Sequence, residues 1–133
     1  MIGIVVVSHG TLAAELVGAA RTIVGDIERI AAVSIGWSDD VARAREAVGR
    51  AIAEVGGAPV LVLTDMFGGT PTNVSLLFLS PGVEIVTGVN LPMLIKLNSR
   101  REGPLAEVAK EIQTQGQASI RVASEILGGG KPA

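Results

Sequence analysis

Apolar residues in this chain come in short runs separated by turn residues, and the runs alternate between two periods. Residues 2–7 are apolar without polar alternation, the pattern of a strand buried on both faces. Ser8-His9-Gly10 breaks that run. From Thr11 the spacing becomes helical, with Leu12, Leu16, Ala19 and Ile23 on one face and Gly25 as a stop. Residues 29–35 read as a second strand and Gly36-Trp37-Ser38-Asp39-Asp40 as a loop, with Ser38 placed to cap the next helix. That helix takes Val41, Ala44, Val48, Ala51, Ile52 and Val55 as its core stripe, and Glu46 and Arg50 are spaced for an i,i+4 pair on its solvent side. Gly56-Gly57 ends it. Residues 60–64 form a third strand and residues 83–89 a fourth; a helix with Val74, Leu77 and Phe78 lies between them. Asn90-Leu91-Pro92-Met93-Leu94 opens a further helix, and Leu105, Val108, Ala109 and Ile112 mark another, ending near Gly116. Residues 119–126 are a last strand candidate, and residues 128–133 read as a flexible tail after a domain of residues 1–127.

Strand and helix patterns alternate four times, which implies right-handed βαβ units. The expected fold is α/β, a doubly wound, mainly parallel sheet flanked by helices. With strand order 2-1-3-4, strands one and three are neighbours at the topological switch point, where open α/β sheets keep their ligand sites. The carboxyl ends of these two strands carry His9 and Asp65.

Composition narrows the function. At 133 residues the chain is long enough for one domain with a proper core. Mean hydropathy is +0.50, yet no apolar run reaches bilayer length. The first residues lack a basic n-region, so neither a signal peptide nor direct membrane insertion is expected. There is no cysteine, which removes disulfides and thiol chemistry and fits a cytoplasmic location. A net charge of −2 without a basic block, and only three aromatic residues, argue against nucleic acid as a partner. A single histidine excludes a multi-histidine metal site within one chain; no metal or other cofactor is implied.

The chemistry concentrates in Asp65-Met66-Phe67-Gly68-Gly69-Thr70-Pro71-Thr72-Asn73 and in His9. Two glycines let the backbone turn tightly and approach a ligand. Thr70 is the expected N-cap, with Pro71 at the first helical position. A helix starting there points free N–H groups and a positive dipole end at the loop, a place for an anion. A neutral imidazole is a good nucleophile near pH 7, and a carboxylate on one ring nitrogen fixes the tautomer and frees the other. His9, Asp65 and the Gly68-Gly69-Thr70 turn together suit a phosphohistidine intermediate. No Walker-type sequence is present, so the expected donor is a phosphoprotein rather than a nucleotide. The plainer readings are a structural His9, a loop-capping Asp65 and a glycine pair that only turns into a helix. Trp37 reads as core filler or as a site wall, Met66 and Phe67 as packing or rim, and Asn90 as a turn former or a cleft residue.

Residues 4–10 (Ile-Val-Val-Val-Ser-His-Gly), residues 65–73 and residues 88–94 (Gly-Val-Asn-Leu-Pro-Met-Leu) together resemble the mannose-family enzyme IIA component of the bacterial sugar phosphotransferase system. The motifs follow the family's order and spacing over nearly the whole chain. The resemblance implies that His9 takes a phosphoryl group from phospho-HPr on Nε2 and passes it to a IIB component. It implies that Asp65 binds the other ring nitrogen and that Gly68-Gly69-Thr70 shapes the phosphate pocket. It also implies a homodimer in which the last strand, residues 119–126, is exchanged and adds antiparallel to the partner's sheet. Thr11 stands where some members carry tryptophan, and Met66-Phe67 replaces a Thr-Trp pair, so the pocket wall differs. The alternatives are a stand-alone regulatory IIA that switches partners, the phosphotransfer subunit of a dihydroxyacetone kinase, a tetrapyrrole metal chelatase, and a hydrolase using Ser8, His9 and Asp65. The chelatase generally wants a second histidine; the hydrolase wants a nucleophile elbow that is missing here.

Overall fold

The computed structural model describes residues 1–128 of the chain. The elements run β1 (Gly3–His9), α1 (Leu12–Val24), β2 (Ile30–Ile35), α2 (Val41–Glu54), β3 (Val60–Thr64), α3 (Gly69–Leu76), β4 (Val83–Thr87), α4 (Leu91–Asn98), α5 (Leu105–Ala118) and α6 (Ala123–Leu127). The four strands form one parallel sheet in the order β2-β1-β3-β4, as the pattern predicts.

Two apolar layers follow from the period-two alternation of buried strands. Ile4, Val6, Leu61 and Leu63 point to one face and pack with Ala13, Val17 and Ala20 of α1, Met93, Leu94 and Leu97 of α4, and Val108 and Ile112 of α5. Val5, Val7, Val60 and Val62 point to the other, against Ala44, Val48 and Ala51 of α2 and Val74 of α3. The lower ends of β1 and β2 are tied by Arg101. Its guanidinium is buried and donates to the carbonyls of Ile2 (2.8 Å), Glu28 (2.6 Å) and Arg29 (3.3 Å). Burial, with Arg29 nearby, lowers its pKa from the ordinary arginine value.

Several local expectations shift. On α1 the buried stripe is Ala13, Val17 and Ala20, while Leu12 and Ile23 are exposed. The helix is apolar nearly all round, and small residues let it lie close to the sheet. On α2 the cap is Asp40, whose carboxylate accepts from the Arg43 N–H at 2.8 Å, rather than Ser38; Val41 is exposed. The Glu46–Arg50 pair forms at 2.7 Å, in solvent.

The last strand candidate does not form within the single chain. Residues 119–126 contribute no strand to this chain's sheet: α5 runs on to Ala118, and Ala123–Leu127 is a short helix. A strand needs a neighbouring edge to satisfy its N–H and C=O groups. Without one, this segment closes local bonds instead, such as Glu125 N–H to Val122 C=O at 3.1 Å. Ile120, Val122, Ile126 and Leu127 are left exposed. The tail expected from residue 128 lies, beyond Gly128, outside the described residues. Among the described residues no helix is long and apolar enough to cross a membrane.

Candidate functional site

The register sets the site. Val7 of β1 is level with Thr64 of β3, so His9 and Asp65 both emerge just past the carboxyl edge of the sheet, on adjacent strands. One Asp65 oxygen, Oδ2, accepts from the backbone N–H of His9 at 2.9 Å and lies 2.8 Å from His9 Nδ1. The other, Oδ1, accepts from the Met66 N–H at 3.0 Å. The Asp65 side chain is only 11 % exposed. Burial by itself raises its pKa, but the His9 N–H, the His9 ring and the Met66 N–H outweigh that and hold the carboxyl below its ordinary 3.8. An ionised carboxylate only accepts, so Nδ1 carries the hydrogen. Nε2 of the neutral ring then keeps its lone pair, on the side away from Asp65.

That side faces the β3–α3 turn. Gly68 and Gly69 both have positive φ, +86° and +79°, a region costly for any residue with a Cβ. Gly69 is needed for a second reason: a Cβ there would stand 3.0 Å from His9 Nε2 and Cε1. The glycine leaves the lone pair uncovered. Helix α3 runs from Gly69 with Gly68 at its N-cap and no side-chain cap bond there, so the expected start with Thr70 as N-cap moves two residues toward the N-terminus. Pro71 tolerates the move because any first-turn position leaves its missing N–H without consequence. The orphan N–H groups of this turn lie next to Nε2, where a helix N-terminus favours negative charge.

Trp37 is brought to the site. Its indole is stacked on the His9 ring, with centroids 5.1 Å apart and planes at 19°, while 83 % of the residue remains exposed. Its loop is fixed by Asp39, which accepts from the Gly36 N–H at 2.7 Å, and by the Asp40 cap. Met66 and Phe67, directly after Asp65, are exposed apolar side chains. Asn90 is spent elsewhere. It caps α4 through Met93 N–H (3.1 Å) and donates to the Gly116 carbonyl (3.2 Å), tying α4 to α5.

Two positions carry more than the sequence reading assigned to them. The buried Thr72 hydroxyl donates to the Met66 carbonyl at 2.5 Å. Having one hydrogen, it accepts from Thr64 Oγ1 at 2.7 Å. This strap holds the turn that bears Asp65 and Gly69. Buried Ser8 Oγ accepts from the Ala13 N–H at 2.6 Å and so caps α1 from just before His9. The signal was a hydroxyl residue at an otherwise apolar strand end, Ser8 in β1 and Thr64 in β3; Thr72, inside α3, carried none. Among the described residues, no three His, Asp or Glu side chains gather where they could hold a metal ion.

Comparison with known proteins finds relatives in both sequence and structure. Residues 3–114 match the EIIA-man family, described as the PTS system fructose IIA component. The PTS system fructose-specific EIIA component of Bacillus subtilis (strain 168) is 29 % identical over 131 residues, covering 96 % of this chain and 90 % of that protein. Among solved structures, the mannose/sorbose-specific IIA subunit from Enterococcus faecalis superposes with a TM-score of 0.84 at 29 % identity, over 91 % of this chain and 93 % of that one. The EIIA component from Streptococcus agalactiae gives 0.85 at 25 % identity, over 93 % and 98 % respectively.

Proposed function

Because the chain belongs to the mannose-type enzyme IIA family of the sugar phosphotransferase system, we propose that His9 takes a phosphoryl group from phospho-HPr and passes it to a IIB component for sugar uptake. The observation that carries the reading is the His9 Nδ1–Asp65 Oδ2 contact of 2.8 Å, with Nε2 turned to the Gly69 backbone.

The step follows from these atoms. The Nε2 lone pair attacks phosphorus in line, and the bond from phosphorus to the donor breaks with its electron pair left on the donor atom. His9 keeps its Nδ1 hydrogen on Asp65, so the phosphorylated ring is cationic and its charge lies against a carboxylate. The phosphoryl oxygens sit at the Gly68-Gly69-Thr70 turn, where orphan N–H groups meet negative charge. Return transfer reverses the sequence: the acceptor nucleophile attacks phosphorus and the pair returns to Nε2. The exposed Trp37 stacked on His9, with exposed Met66 and Phe67 directly after Asp65, suits a protein face as donor and acceptor rather than a small charged nucleotide.

In this reading residues 1–127 form the IIA domain, and two chains pair by laying residues 119–126 along the partner's β4. Support comes from β4 being the outer strand of the sheet and from the exposed apolar residues of that segment.

The test is intact-mass spectrometry at alkaline pH after incubation with enzyme I, HPr and phosphoenolpyruvate. One acid-labile phosphate is expected in the native chain and none in His9→Ala. Phosphate retained in the variant, or absent from the native chain while HPr is phosphorylated, sinks the proposal.

A further inference from the structure

Trp37 stands out because a large apolar side chain is left in solvent, yet its indole lies flat on the one ring that does the chemistry. Hydrophobic burial does not explain that placement, since 83 % of the residue is exposed. The loop is not free to place it elsewhere: Asp39 and Asp40 pin the turn on both sides of Ser38 through Gly36 and Arg43 N–H groups. Gly10 passes close beneath, where an added Cβ would touch Trp37 Nε1 at 3.7 Å.

We infer that Trp37 is a positioning residue for His9: its π-face covers one side of the imidazole and stabilises the ring when it is cationic. The inference rests on the phosphocarrier reading for its use, though not for its physics. Two states make that cation. One is protonation of Nε2; the other is phosphorylation of Nε2 with the Nδ1 hydrogen kept on Asp65. A cation over an indole face is attracted by the ring quadrupole, and at an exposed site this amounts to about two- to five-fold in an equilibrium. Asp65 faces the imidazole from the β3–α3 turn. Asp39 and Asp40, on the same loop as Trp37, are engaged by backbone N–H groups. Glu15 lies in the first turn of α1, and the first turn of α3 carries no acid. Trp37 therefore adds to the effect of Asp65 on the same ring, from a perpendicular direction.

The chain has one tryptophan and one histidine, so both partners can be read without labels. Indole fluorescence of the unphosphorylated chain is recorded across a pH series. A quenching transition on acidification is expected, and it is absent in His9→Gln. The proton affinity of His9, from the NMR titration of its Hε1, falls about two- to five-fold in Trp37→Ala and stays near native in Trp37→Phe, which keeps an aromatic face. In the phosphotransfer assay the equilibrium with phospho-HPr shifts against the phosphorylated chain by the same factor in Trp37→Ala. Fluorescence that ignores His9→Gln, or a proton affinity unchanged in Trp37→Ala, overturns the inference. A native chain that takes no phosphate defeats the phosphocarrier reading alone, because the fluorescence and NMR arms still decide the role of Trp37.

Discussion

Replacing Asp65 by asparagine changes one atom and tests the site's central pairing. The carboxylate accepts three N–H bonds: from the His9 backbone at 2.9 Å, the His9 ring at 2.8 Å and the Met66 backbone at 3.0 Å. An amide has one accepting oxygen and one donating NH2. Placed with oxygen toward His9, it keeps the ring bond but sets its NH2 against the Met66 N–H. Flipped, it satisfies Met66 but opposes the His9 backbone N–H and donates to Nδ1. The ring hydrogen then moves to Nε2, and the nucleophilic lone pair is lost. Either way one donor is orphaned, which costs about 1–3 kcal/mol of stability. Catalysis loses more, because the charge that balances the cationic phosphorylated ring is gone as well. A charge-assisted bond is roughly 1.5–3 kcal/mol, and a Coulomb contribution at an effective dielectric of 20 is about 4 kcal/mol at 4 Å, reduced here by partial exposure. Together about 3–5 kcal/mol of transition-state stabilisation goes, or about 10²- to 10⁴-fold in rate. Rapid-quench phosphorylation by phospho-HPr, read by intact mass, measures it, with circular dichroism confirming the fold. A rate within about three-fold of native, in a folded variant, would refute the pairing as the basis of reactivity.

Gly69→Ala places a Cβ 3.0 Å from Nε2 at φ +79°; a loss of about 1–2 kcal/mol in stability is expected, with phosphorylation slowed at least about ten-fold. Gly68→Ala carries similar strain at φ +86° but nothing within 4 Å, so equal slowing in the two variants would contradict the crowding of Nε2. The Asp65 carboxyl titrates below 3.8 in the folded chain, so its stabilising contribution is present above that pH and vanishes as pH falls through the folded value. The melting-temperature gap between native and Asp65→Asn proteins should close as pH falls from about 5 into stronger acid; a gap that widens over that range reverses the sign and rejects the assignment. Arg101→Met removes the donors to three strand-end carbonyls and should lower denaturant stability by about 2–4 kcal/mol while leaving phosphorylation intact below the midpoint. Truncation after Gln117 should reduce a dimeric mass to a monomeric one in light scattering, and an unaltered mass would dismiss residues 119–126 as the pairing segment.

Much of this architecture was legible from period and punctuation. Continuous Ile/Val runs at residues 2–7 and 60–64 marked strands buried on both faces, and their alternating side chains divide into the two observed layers. The meeting of His9 and Asp65 followed from strand order alone. Helix phase was harder. In α1 nearly every turn offers an apolar residue, so Leu12 and Ala13 are equal candidates until close packing against the sheet selects the smaller one. The start of α3 was displaced because Thr-Pro is a strong helix-start signal, and nothing local announces that two glycines before it take positive φ. Residues 119–126 have strand-forming side chains, but strand formation depends on a partner edge that a single sequence does not display. Asn90 was placed by type rather than by neighbours; its cap bond was foreseeable, and its link to Gly116 across 26 positions was not.

The Thr64–Thr72–Met66 relay sits wholly beneath the turn. The conformation of the reactive loop is thereby held from the interior through the Met66 carbonyl, while the side chains of Met66 and Phe67 stay exposed. In the proposed phosphocarrier reading, chemistry and recognition lie on opposite sides of the same few peptide units. Exposed loop residues of this kind are free to drift. In that reading, the docking face can therefore change at these two side chains without retuning the acid, the histidine or the turn beneath them.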